Sequence, residues 1–370
     1  MQFLVKPRIH KFDNCKEFIE YFSIGAGDLI ITNEFIYKPF FTDRKLGAAV
    51  IYQEKYGAGE PSDEMIDNIL RDISGARYGR VIAVGGGTVI DIAKLLALKD
   101  VKSTLELFEK RIPIIKEKDL ILVPTTCGTG SEVTNISIVE IKSKHTKMGL
   151  AVDELYADNA VLIPELVTGL PYKYFITSSI DALIHAIESF VSPKSNSYTR
   201  LFSVKAIELI IKGYQKIIEH GEDYRSRILE DFLTASNYAG ISFANTGVGA
   251  VHAMSYPLGG TYHVPHGEAN YQFFIEVFKT YNRIKPDGRI NDINLLLASI
   301  LDTGTENIYD HLSELLEPLL SRKPLREYGM LEEDIQGFTD SVLATQQRLL
   351  ANNYVPLSRE ELLGIYIRLY

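Results

Sequence analysis

Three short apolar runs in the first half of the chain constrain its fold more than any other feature. Asp28-Leu-Ile-Ile-Thr32 ends at a polar turn, Arg80-Val-Ile-Ala-Val84 ends in Gly85-Gly86-Gly87, and Asp119-Leu-Ile-Leu-Val123 ends at Pro124. Each is brief, rich in branched aliphatic residues and apolar almost throughout, the pattern of a strand covered on both faces. Helical periodicity fills the intervals. In Ser62 to Ile73, Pro61 precedes a Ser62 N-cap and Glu64 lies in the first turn. This alternation predicts a parallel, Rossmann-like sheet with helices on both faces.

From about Leu170 the pattern changes. Ser178 to Val191, Thr199 to His220, Tyr224 to Ala239, Asn291 to Asp302 and Thr305 to Leu320 show helical periodicity, and strand-like runs become scarce. The 370 residues are expected to divide into an α/β domain over 1–170 and an all-helical domain over 171–370, meeting near Gly169-Leu-Pro171. No internal repeat or low-complexity tract appears.

Val84-Gly85-Gly86-Gly87-Thr88-Val-Ile-Asp91 follows a strand and opens a helix. Backbone without side chains can approach a pyrophosphate, and a helix N-terminus offers N–H groups and a positive dipole. Thr88 can donate a hydroxyl, and Asp91 favours the helix start or holds the loop. The spacing is not that of the usual dinucleotide fingerprint. Pro124-Thr-Thr-Cys-Gly-Thr-Gly-Ser-Glu132 strengthens the case, because Thr125, Thr126, Thr129 and Ser131 surround two glycines directly after a strand. Such a loop suits phosphate, ribose or carboxamide. Cys127 reads as packing, with no His near in sequence to activate it.

Asp181 and His185 are spaced i, i+4 in an apolar-periodic segment, so a helix delivers both to one point. His252, His263 and His266 crowd into a glycine- and proline-rich stretch that reads as turns. Asp181, His185, His252 and His266 make a carboxylate and three-imidazole set that suits Fe(II) or Zn(II) and leaves a position open for substrate. The metal set falls in the helical part and the glycine cluster in the α/β part, so the active site is expected in the cleft between them.

The net charge of −9 argues against a nucleic-acid surface. No apolar run is long enough for a membrane span. Cys15 and Cys127 are too few and too far apart for a disulfide framework. The first residues lack the apolar region of a signal peptide. A cytoplasmic location is expected.

Gly85-Gly-Gly-Thr88-x-x-Asp91, Pro124 to Glu132, Asp181-Ala-Leu-Ile-His185-Ala-Ile-Glu188, His252 and Pro265-His-Gly267 occur in that order. Together they resemble the iron-containing (group III) alcohol dehydrogenases, along nearly the whole chain to Asn352-Asn353. Gly27 to Glu34, Pro61 to Met65, Asp153 to Tyr156, His263 to Tyr271 and Ser321 to Met330 are similar to the branch acting on 4-hydroxybutyrate. The resemblance implies that Gly85, Gly86, Gly87, Thr88 and Asp91 bind the NAD pyrophosphate. It places Thr125, Thr126, Thr129 and Ser131 on the adenosine ribose and nicotinamide side, and Lys147 at the nicotinamide ribose. Asp181, His185, His252 and His266 match the metal ligands, and a homodimer follows by likeness.

Two departures stand out. Tyr256 occupies a position where many relatives carry a second histidine, and a phenol, with an ordinary pKa near 10, is a poor base. Tyr256, His263, or the ribose and water remain open as the proton path. Asn33 stands where many relatives carry an Asp that accepts the adenosine ribose hydroxyls and repels a 2′-phosphate; Glu34 is an alternative source of that charge. The implied activity is hydride transfer between 4-hydroxybutyrate and succinate semialdehyde. Arg326, Lys323, His263 and Tyr262 are candidates to hold the substrate carboxylate. The alternatives are a dehydrogenase of another small alcohol, such as a 1-alkanol or 1,3-propanediol, and a dehydroquinate synthase-like lyase.

Overall fold

In the computed structural model, which describes residues 2–144 and 146–370, the three buried runs are adjacent strands of one sheet. Among the described residues the strands are β1 (Arg8–Lys11), β2 (Asp28–Thr32), β3 (Ala49–Tyr52), β4 (Arg80–Gly85), β5 (Asp119–Pro124), β6 (Ile136–Ile141), β7 (Thr146–Ala151) and β8 (Asn159–Leu162). All but β6 and β7 form a parallel sheet in the order β1-β8-β5-β4-β2-β3; β6 and β7 form an antiparallel pair. Thr32 lies opposite both Tyr52 and Val84, and Gly85 lies opposite Pro124. The chain therefore leaves β2, β3, β4 and β5 along one carboxyl edge, where open α/β sheets bind ligands.

Side chains alternate between two cores, as the two-residue period of a strand requires. Leu29, Ile31, Val81, Ala83, Leu120 and Leu122 share one core with α3 (Asp63–Asp72), α4 (Gly87–Leu96) and α5 (Thr104–Phe108). Ile30, Ile82, Val84, Ile121 and Val123 share the other with α1 (Cys15–Phe22) and α2 (Glu34–Phe41). Ser62 caps α3 as its sequence predicts, its hydroxyl accepting from the Met65 N–H. At the amino edge, Arg80 grips Asp28 with two bonds of 2.8 Å, fixing β4 against β2.

The chain folds as two compact units, one of Val5–Leu170 and one of Pro171–Tyr370 with the N-terminal residues as far as Leu4. Those first residues leave the α/β unit because Leu4 exchanges backbone hydrogen bonds of 2.7 and 3.0 Å with the Asn245 side chain. Phe3 also stacks on Tyr198 and Phe202.

The second unit is helical, beginning with α6 (Tyr172–Val191), α7 (Ser197–His220), α8 (Leu229–Thr246), α9 (Ala250–Tyr262) and α10 (His266–Ile284) and ending with Arg359–Leu369. α6 is central, buried from Phe175 to Val191 except at Ser178. The glycine-rich stretch expected as turns is instead largely helical: α9 runs through Pro257, Gly259 and Gly260. Burial of Ala250, Val251, Ala253, Met254 and Leu258 on neighbouring helices overrides the weak local propensity. No helix among the described residues is long and apolar enough to cross a membrane.

Candidate active site

Asp181 and His185 project from one face of α6, His252 from the first turn of α9, and His266 begins α10. Their four ligand atoms lie within 4.8 Å of one another. Asp181 Oδ1 is 3.6 Å from His252 Nε2, and Asp181 Oδ2 is 3.9 Å from His185 Nε2 and 4.0 Å from His266 Nε2. Ligands at roughly 2.1 Å from one tetrahedral ion stand about 3.4 Å apart, so a small contraction completes the set. His252 Nε2 is buried and has no hydrogen-bond partner, a donor atom waiting for a cation. The residues fit a divalent metal.

Local sequence explains the convergence. Pro265 caps α10 in an extended conformation. A Cβ at Gly267 would lie 2.4 Å from the Thr177 carbonyl oxygen and 3.3 Å from Asp181 Cβ, so only glycine lets α10 start against α6. At the start of α9, Gly247 takes φ +72 beside the Asn352 amide, which donates to the Val248 carbonyl at 3.0 Å. A Cβ at Gly249 would meet Asn353 Oδ1 at 2.9 Å and Glu188 Oε1 at 3.3 Å.

An outer layer orients the ligands. Glu188, one turn beyond His185, is 2.6 Å from His252 Nδ1 and accepts from the Val251 N–H at 2.9 Å. Asn270 donates to Asp181 Oδ1 at 2.7 Å and lies 3.2 Å from His266 Nε2. His185 stacks between Phe243 and His252, at ring separations of 4.4 and 4.7 Å. Burial works against charge on the Asp181 carboxyl, but His185, His266 and His252 hold it far below the usual carboxylate range. Burial likewise opposes charge on His252, yet Asp181 and Glu188 push it up to about 9. This acidic pocket draws a cation, whether a proton or a metal.

At the sheet edge, Gly86 caps α4 without a side-chain hydrogen bond. A Cβ at Gly87 would sit 2.9 Å from Thr129 Cγ2, and one at Gly86 would be 3.4 Å from Thr126 Cγ2. The two predicted loops thus lie so close at Gly87 that a side chain there would displace Thr129, and the bare backbone between them fits a dinucleotide phosphate. Asp91 and Ser131 face each other at 2.6 Å, and Asp91 Oδ2 accepts from the Ile138 N–H at 2.9 Å. Lys94, wholly buried, donates to Ser131 Oγ at 2.6 Å, Thr134 Oγ1 at 3.1 Å and the Ile136 carbonyl at 2.6 Å. Asp91 therefore holds the loops, one of the two roles its position offered. Lys94 had no sequence signal beyond its place one turn later. Burial and Glu132 both push the Cys127 thiol up, in keeping with packing.

The other sequence candidates take distinct positions. Thr88 Oγ1 donates to the Gly59 carbonyl at 3.0 Å, and Lys147 pairs with Glu60 at 2.6 Å. The half-buried Thr126 and the buried Thr125 line the start of the loop after β5. Asn33 donates to Glu54 Oε2 at 2.9 Å. Tyr256 is half-buried, its ring 6.2 Å from that of His266. His263 is exposed in a left-handed conformation at the end of α9. Tyr262 donates to Asp334, Arg326 donates to the Tyr370 carbonyl at 2.7 Å, and Lys323 lies 5.9 Å from the Tyr328 ring.

Residues 11–164 match the iron-containing alcohol dehydrogenase family, and residues 175–370 match the family's C-terminal region. The chain is 62% identical over 364 residues to 4-hydroxybutyrate dehydrogenase of Clostridium kluyveri, covering 98% of each chain. It superposes with a TM-score of 0.87 on an archaeal halo-thermophilic alcohol dehydrogenase from a Red Sea brine pool, at 22% identity, covering 100% of this chain and 99% of that one. It superposes at 0.86 on sulfoacetaldehyde reductase from Bifidobacterium kashiwanohense, solved with NAD+, at 23% identity, covering 100% and 98%. The two structural likenesses are of fold. The sequence matches span both units, and with them the chain belongs to the iron-containing alcohol dehydrogenase family.

Proposed function

We propose that this protein is an NAD-linked, metal-dependent dehydrogenase that interconverts 4-hydroxybutyrate and succinate semialdehyde. The 62% identity to the Clostridium kluyveri enzyme, over 98% of both chains, carries the choice of substrate. Asp181, His185, His252 and His266 would hold one divalent ion, Fe(II) by family and Zn(II) by donor chemistry. Bound there, the ion would supply Lewis acidity for the substrate's hydroxyl or carbonyl group, and NAD would supply hydride chemistry.

The chain's own residues do the rest. Glu188 and Asn270 hold the ligands in place. Backbone N–H groups of Gly86, Gly87 and Thr88 receive the pyrophosphate, with Gly85 making the turn and Asp91, Ser131 and Lys94 bracing it. Thr125, Thr126 and Thr129 offer hydroxyls to the ribose and carboxamide, Asn33 faces the adenosine ribose, and Lys147 serves the nicotinamide ribose. Tyr256 and His263 are the proposed proton path. The substrate carboxylate falls to Lys323, because Tyr262 and Arg326 are engaged with Asp334 and Tyr370 and His263 serves the proton path.

We also infer a cytoplasmic homodimer that acts on a small molecule. Cys15 and Cys127 are both buried and free, which fits a reducing compartment. Two-fold dimers are the commonest assembly, and the edge strand β1 presents Ile9 to solvent.

Metal-loaded protein given 4-hydroxybutyrate and NAD+ should yield NADH and succinate semialdehyde, lose activity on chelation and regain it with Fe(II) or Zn(II). No NADH from the reloaded protein contradicts the reading.

A further inference from the structure

The register at the carboxyl edge sets Asn33, Gln53 and Gly85 side by side, each following a residue aligned with Thr32. Gln53 is buried, and its amide is locked by bonds to the Gly57 carbonyl at 2.9 Å and Met65 Sδ at 3.2 Å. Its Oε1 thereby faces the Asn33 amide at 3.3 Å. Glu54 completes the arrangement. Its Oε2 accepts from Asn33 Nδ2 at 2.9 Å, and its Oε1 accepts from the Glu34 backbone N–H at 2.6 Å, at the start of α2.

Three consequences follow. With Nδ2 committed to Glu54 and Gln53, Asn33 presents its carbonyl oxygen, which can accept from a sugar hydroxyl. Glu54, exposed and held by two donors, sets its carboxylate beside that oxygen. Two nearby lysines are engaged elsewhere: Lys38 lies 3.3 Å from the Glu34 carboxylate, and Lys55 folds over the Tyr52 ring at 4.9 Å. Glu34 is thus turned toward Lys38, and the carboxylate at Asn33 comes from the turn that follows β3.

We propose that Glu54 is a specificity-determining residue that selects NAD over NADP, by placing a carboxylate where the 2′-phosphate of NADP would lie. Asn33 supplies the hydrogen bond to the ribose and Glu54 supplies the repulsion, two tasks that one acidic residue can perform alone. This assignment rests on the dinucleotide reading above. A doubly charged phosphate about 5 Å from a carboxylate at a protein surface is disfavoured by roughly tenfold or more.

The test is equilibrium titration of the full-length protein with NADH and with NADPH, followed by nicotinamide fluorescence without substrate. E54Q keeps an acceptor for the Glu34 N–H and removes the charge. It should tighten NADPH binding by about tenfold and change NADH binding less than threefold. N33D should widen the preference for NADH. Equal weakening of both nucleotides by E54Q, or an unchanged ratio with NADH still bound, overturns the assignment of Glu54 and leaves the dinucleotide reading intact. Wild-type protein that binds neither nucleotide overturns the dinucleotide reading, and this assignment with it.

Discussion

The Glu188 carboxylate lies 2.6 Å from Nδ1 of His252, and both side chains are buried. With that nitrogen occupied by a carboxylate, the other, Nε2, is aimed at Asp181 and fixed as the ligand atom. Glu188 sits on α6 one turn past His185, so a single helix supplies two ligands and the group that orients a third. E188Q is expected to weaken metal binding by about 10- to 100-fold. Competition with a chelator of known affinity measures it; unchanged affinity would show that His252 needs no such support.

Metal uptake should depend on pH through His252. Its ring is held up at about 9 by Asp181 and Glu188 against the opposing effect of burial. A protonated ring cannot ligate, so apparent metal affinity should rise steadily from about pH 6.5 to about pH 9. The metal-free protein should behave oppositely. A folded pKa raised above 6.5 contributes stability that is whole below that value and lost as pH rises through about 9. Melting curves with and without Zn(II) across this window should therefore diverge as the solution becomes more alkaline. Parallel curves would contradict the charge arrangement.

G267A should damage the metal site without touching a ligand. Its Cβ would lie 2.4 Å from the Thr177 carbonyl oxygen, forcing α10 away from α6 and His266 away from Asp181. A stability loss of about 1–3 kcal/mol is expected, with metal content falling well below stoichiometric. Denaturant unfolding and elemental analysis read the two effects.

K94M should act in the other unit. Burial lowers the Lys94 pKa, against the pull of Asp91 and Glu132, and removing the ammonium leaves the Asp91 and Ser131 pair without its cation. A loss of about 3–5 kcal/mol is expected, as for one partner of a buried ion pair. NADH should bind at least tenfold more weakly, while metal content stays at wild-type level. Loss of metal along with NADH would contradict the separation of the two roles.

Much of this site is written in local sequence. Asp181 and His185 needed only the period of a helix, and β2, β4 and β5 only their unbroken apolar runs. Edge strands were harder to see: β1 reads Arg-Ile-His-Lys because one side of it meets solvent, and β3 is equally short. α9 was hidden by Pro257, Gly259 and Gly260, whose cost is met by packing that no local window contains. Glu188, Asn270, Lys94 and Glu54 gain their roles from residues far along the chain, 89 positions from Asn270 to Asp181 and 21 from Glu54 to Asn33. Their surroundings exist only after the chain has folded.

The most direct measurement is NADH oxidation by anaerobically purified, Fe(II)-loaded protein with succinate semialdehyde, paired with butyraldehyde as a carbonyl of similar length without the carboxylate. Rapid turnover of the semialdehyde and slow turnover of butyraldehyde is the expected result, because the proposed substrate carries an anionic end that the protein must bind. Equal turnover of both, or preference for butyraldehyde, would contradict the assignment to 4-hydroxybutyrate.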